Sequence, residues 1–126
     1  MIRTELSLRL GNSPGALAGV CRLLANERVN IAALMLEANG QLRLVVDNHT
    51  HAAAILREQH HAVAERDVIV TMLPHAPGSL GTALRLVSEA NVNVEYAYSG
   101  GADAPHMVGV VLGVEDATRA AAAAGI

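Results

Sequence analysis

Leu10-Gly11-Asn12-Ser13-Pro14-Gly15-Ala16-Leu17 returns 63 residues later as Leu73-Pro74-His75-Ala76-Pro77-Gly78-Ser79-Leu80, with Leu, Pro, Gly and Leu at matching places. The match continues without a gap. Arg22-Leu23 returns as Arg85-Leu86, and Val29-Asn30-Ile31 as Val92-Asn93-Val94. Between positions 10 and 31, eight of 22 residues are identical in the second copy. Self-similarity at a fixed spacing marks one structural unit used twice. The expected division is therefore a first unit over residues 1–66 and a second over 67–126.

Each copy can be read outward from this turn. Before it, Ile2, Leu6, Leu8 and Leu10 alternate with Arg3, Glu5, Ser7 and Arg9, the period of a half-buried strand. After it, Leu17, Val20, Cys21 and Leu24 form an i, i+3, i+4, i+7 helical stripe, repeated as Leu80, Ala83, Leu84 and Val87. Ser13 is expected to be the N-cap of that helix and Pro14 its first residue. Residues 29–38 read as a strand. Asn39-Gly40 signals a hairpin of the I′ kind, and Leu42, Leu44 and Val46 mark the returning strand. A second helix is expected from about Thr50 to His61.

The run Val63–Leu73 must close the first copy and open the second, so a single long or kinked strand shared by both is expected there. The second copy continues with a strand near 92–99, a loop over Gly100-Gly101-Ala102-Asp103-Ala104-Pro105, and a return strand at 107–114. A helix from Asp116 then ends at Gly125, a residue suited to the C-terminal turn. The pattern is β-α-β-β-α-β twice, which predicts an α+β fold of two ferredoxin-like units with antiparallel sheets. The second unit lacks its last strand, and a second chain is expected to supply or cover that edge.

The motif Leu-x-Asn-x-Pro-Gly-x-Leu, followed by Val-Asn-Ile centred fifteen residues after the glycine, resembles an ACT domain. Both copies carry it, the second with His75 in place of Asn12, and the resemblance spans essentially the whole chain. The chain is most similar to stand-alone tandem ACT proteins. That resemblance implies a regulatory protein that binds a small molecule, an amino acid by expectation, at an interface between units. It also implies a homodimer and regulation of a partner enzyme. The implied ligand-binding residues are Asn12, Pro14, Gly15, Ala16 and Leu17 with Asn30 and Ile31 of a neighbouring unit. In the second copy they are His75, Pro77, Gly78, Ser79 and Leu80 with Asn93 and Val94. The alternative is a module without a ligand of its own that binds a partner enzyme, as the similarity of the first copy to an acetolactate synthase regulatory subunit suggests.

The chemistry of the turn is compatible with binding. A helix start offers unpaired N–H donors and partial positive charge to a carboxylate. A glycine without Cβ allows close approach, and Asn30 and Asn93 offer donors and acceptors. The same residues also have a purely structural use, since Pro-Gly starts helices and Asn closes turns.

Composition excludes other classes. All nine basic residues are Arg, they are scattered, and the net charge is −3, which speaks against a nucleic-acid partner. No apolar run reaches 18 residues, so no membrane partner is expected. The single cysteine, Cys21, fits a reducing cytoplasm and reads as a small buried hydrophobe. His49 and His51 are two apart, and His60 and His61 are adjacent. Neither spacing puts two ligands on one helix face as i, i+4 would, so no metal or other cofactor is expected. No nucleophile with a neighbouring base and no pair of carboxylates stands out, so an enzyme is not expected. Tyr96 and Tyr98 are the only aromatic residues and share a strand face. A pocket wall, a helix-covered face and an interface are all open to them, the last being favoured.

Overall fold

The computed structural model describes residues 1–101 and 104–126; Ala102 and Asp103 of the expected loop lie outside the described residues. The elements are β1 (Ile2–Arg9), α1 (Ala16–Asn26), β2 (Ile31–Leu36), β3 (Gln41–Val46) and α2 (His49–Glu58). They continue as β4 (Ala64–Pro74), α3 (Ser79–Glu89), β5 (Val94–Gly100), β6 (Met107–Val114) and α4 (Ala117–Ala124). The chain divides into two compact units, Thr4–Arg66, and Asp67–Ile126 together with Met1–Arg3. Both follow the ferredoxin-like order of antiparallel strands and two helices, and among the described residues no strand follows α4.

In the unit Thr4–Arg66, β3 lies between β2 and β1, and β4, whose first three residues belong to this unit, follows beyond β1. The register pairs Leu6 with Leu44 and Leu8 with Leu42. Because strand side chains alternate, these four leucines share one face, and α1 and α2 cover it with Val20, Leu24, Ile55 and Leu56. Leu6, Leu24, Leu42, Leu44 and Leu56 are all fully buried. Each contributes about 1.5–3 kcal/mol by leaving water. The opposite face carries Glu5, buried to 1% exposure and 3.6 Å from the Arg43 guanidinium.

The second unit repeats this plan with β6 between β4 and β5. Ile69 pairs with Leu112 and packs with Val87, Ala120 and Ala121 beneath α3 and α4. The alanine run thus serves as a thin helix in close contact with its sheet. On the side of β4 away from β6, the chain's own first residues, which belong to this unit, pair with it. The Val70 N–H donates to the Met1 carbonyl at 2.8 Å, and the Met1 amino group donates to the Val70 carbonyl at 3.1 Å.

Several local expectations need correction. Ser13 is not an N-cap and Pro14 is not helical. Helix α1 starts at Ala16 with Gly15 at the cap position, φ +83°, and α3 starts at Ser79 with Gly78 at φ +87°. The Ala16 N–H donates to the Ser13 carbonyl and the Ser79 N–H to the Ala76 carbonyl, each at 3.3 Å. Proline at the second and glycine at the third position of such a turn, with the glycine left-handed, is a type II arrangement. The motif therefore makes a tight turn before the helix.

The Asn39-Gly40 hairpin is not a I′ turn either, because only Gly40 has positive φ, +91°. Gly40 N–H donates to the Glu37 carbonyl and Glu37 N–H to the Gln41 carbonyl, both at 2.9 Å. This is a longer loop that ends on a left-handed glycine. Helix α2 begins at His49, earlier than expected, because the Asn48 side chain caps it by accepting from the His51 N–H at 3.1 Å. Cys21 is half-buried rather than buried. The run into β4 forms one unbroken strand of 11 residues, and the division of the chain falls inside it, after Arg66.

Candidate functional site

The type II turn and the β2–β3 hairpin of the first unit together build a half-open cleft of about 570 Å³. The hairpin is fixed against the end of β1 by two bonds. The Leu10 N–H donates to the Gly40 carbonyl at 2.8 Å, and the Arg9 guanidinium donates to the Asn39 carbonyl at 2.7 Å. A Cβ on Gly40 would sit 2.6 Å from the Leu10 carbonyl oxygen, so only glycine permits this approach. On the other side, no side chain caps the start of α1. The first N–H groups of a helix have no partner within it.

Of the residues expected in the first site, Asn12, Gly15, Ala16 and Leu17 line this cleft. Pro14 shapes the turn behind it. Asn30 and Ile31 are not brought to the same place, because the 11 residues of α1 separate them from the turn by about 16 Å. The Asn30 N–H donates to Asp47 Oδ1 at 3.0 Å, and the Asp47 N–H donates back to the Asn30 carbonyl at 3.1 Å. Ile31 packs on the core.

The second unit has a smaller cleft of about 240 Å³, lined by His75, Ser79 and Leu80 with Leu73, Ser99 and Val108. Pro77 and Gly78 form its turn. Asn93 again lies at the far end of its helix, where its N–H donates to Glu115 Oε1 at 3.1 Å, and Val94 packs on the second core. The hairpin wall of the first cleft, Leu36 to Gly40, carries no sequence signal of a binding site. Asn39-Gly40 was legible there as a turn, but the position of the turn against the Pro-Gly loop follows only from the sheet register.

Tyr96 and Tyr98 stand on the sheet face away from α3 and α4, since they pair with Gly113 and Val111 while Leu112 faces the helices. Their rings stack with centroids 6.3 Å apart. Tyr96 lies directly over Gly113, where an added Cβ would collide with the ring. The helix-covered alternative for these two residues is thereby removed. Among the described residues, no three His, Cys, Asp or Glu side chains gather to hold a metal ion, and no helix is long and apolar enough to cross a membrane.

Paired ferredoxin-like units, each with a cleft at a Pro-Gly turn leading into its first helix, define a class of regulatory domain. The chain belongs to the ACT domain pair family, whose model matches residues 1–120. It is 31% identical to protein BT0572 from Bacteroides thetaiotaomicron, with a TM-score of 0.87 over 98% of this chain and 86% of that one. The ligand-free regulatory subunit of aspartate kinase from Thermus thermophilus superposes with a TM-score of 0.71 at 17% identity, over 99% of this chain and 92% of that one. The regulatory subunit of aspartate kinase from Thermus flavus gives 0.66 at 16% identity, covering 99% and 94%. These two likenesses are of fold. No curated protein matches the chain.

Proposed function

We propose that this protein is a metabolic effector sensor that binds an amino acid in the cleft of its first unit and has no catalytic activity of its own. The observation that carries the reading is the cleft itself. About 570 Å³ lies between an uncapped helix start and a fixed hairpin, within the 300–1,000 Å³ usual for small-molecule sites. Asn12, Gly15, Ala16 and Leu17 are the binding residues. Asn30 and Ile31 complete the site only from a partner chain, which makes the working form a homodimer. The second unit's residues, His75, Pro77, Gly78, Ser79 and Leu80 with Asn93 and Val94, form a separate and smaller site. Residues 1–66 and 67–126 act as the two functional units, and a partner enzyme in the cytoplasm receives the signal.

The test is a thermal-shift screen of the protein against the twenty amino acids and common pathway end-products. A ligand at about 100 times its dissociation constant stabilises by roughly 2.7 kcal/mol, several degrees for a chain of this size. One selective hit, weakened by Asn12→Ala, supports the proposal. A flat screen at millimolar ligand favours instead the module without a ligand, and a pull-down for its partner enzyme follows.

A further inference from the structure

The two clefts occupy equivalent places in the repeat, and their described lining residues differ in charge. Among the described residues Glu37 is the sole ionisable one lining the first cleft; Asn12, Ser13 and Asn39 are the other polar ones. Among the described residues, the Glu37 carboxylate has no hydrogen bond or ion pair, and only its backbone is engaged in the hairpin. No arginine is among the described lining residues. Arg9, the nearest along the chain to the cleft's turn, has its guanidinium on the Asn39 carbonyl. At the repeat offset of 63, the second unit has Gly100 in place of Glu37, Ser99 in place of Leu36 and His75 in place of Asn12.

We infer that Glu37 is the specificity-determining residue of the first cleft: it takes the cationic amine of the ligand and excludes ligands of net negative charge. An ionised carboxylate in a partly enclosed cleft attracts a cation more strongly than it would in bulk water, and a charged hydrogen bond to an ammonium group is among the stronger ones. A dicarboxylic ligand brings an uncompensated negative charge to the same wall. Among the described residues no carboxylate lines the second cleft, so the preference is assigned to the first cleft alone. This inference rests on the reading of the first cleft as a ligand site.

Calorimetric titration of the full chain and of Glu37→Gln tests it. The probes are each amino acid found in the screen, its hydroxy-acid analogue lacking the amine, and the dicarboxylates succinate and glutarate. Glu37 is half-exposed and its side chain supports no other group, so Glu37→Gln should keep the unliganded melting temperature. The wild-type chain should bind the amine-bearing probe at least tenfold more tightly than its hydroxy analogue and should not bind the dicarboxylates. Glu37→Gln should lose about tenfold to a hundredfold in affinity and most of that discrimination. Equal binding by both proteins, or tight dicarboxylate binding by the wild type, overturns the role of Glu37 while leaving the cleft a binding site. Absence of binding by any probe to either protein removes the site reading, and this inference with it.

Discussion

At the scale of single residues, the glycines divide into three kinds that the sequence does not distinguish. Gly15 and Gly78 have open space around the position of a Cβ, but their φ values of +83° and +87° are left-handed. Gly15→Ala and Gly78→Ala should each cost about 1–2 kcal/mol of stability, although no contact is lost. Gly19 and Gly81 also have open space, yet they lie within α1 and α3 at ordinary helical φ. There alanine should stabilise by about 0.5–1 kcal/mol. Urea denaturation of the four variants gives the comparison, and a loss at Gly19→Ala would contradict the helix assignment. Gly113→Ala is a third case, because the new methyl meets the Tyr96 ring. It should cost about 1–3 kcal/mol by overpacking, with partial recovery in a Tyr96→Leu background.

At the scale of elements, helix starts carry the clearest contrast. Asn48 and Asp116 cap α2 and α4 through side-chain acceptors, whereas Ser13 caps nothing. Asn48→Ala and Asp116→Ala should each lower stability by about 1 kcal/mol. Ser13→Ala should stay within about 0.5 kcal/mol of the parent, and a larger loss would revive the capping role that the sequence suggested. The strands were legible because alternation survives in an aliphatic chain: Leu6, Leu8, Leu42 and Leu44 all face the helices as their spacing implies. Gly125, at φ +72°, ends α4 as the sequence suggested. The Pro-Gly turn is ambiguous in sequence because proline before a left-handed glycine and proline as the first helical residue use the same two letters. Only the sign of the glycine φ separates them. The hairpin is ambiguous for a similar reason. Asn-Gly fits a I′ turn, but the loop keeps Asn39 at negative φ and uses Gly40 alone.

At the scale of the whole molecule, the repeat predicted two ferredoxin-like units, and each has its own aliphatic core. The candidate site was only half legible. The turn residues Asn12, Gly15, Ala16 and Leu17 come from contiguous sequence, but the opposing wall around Glu37 arrives through strand register. Asn30 lies a helix length from the turn, so a motif that reads as one unit in sequence is spread over two ends of the fold. The central claim is that an effector occupies the first cleft. Amide chemical-shift mapping by NMR, with a ligand from the thermal screen added to labelled protein, tests it most directly. The account predicts that the largest shifts fall on Asn12, Gly15, Leu17, Glu37 and Gly40, with the amides of Ser79 and Leu80 little changed. Saturable shifts that leave those five amides unmoved would contradict it.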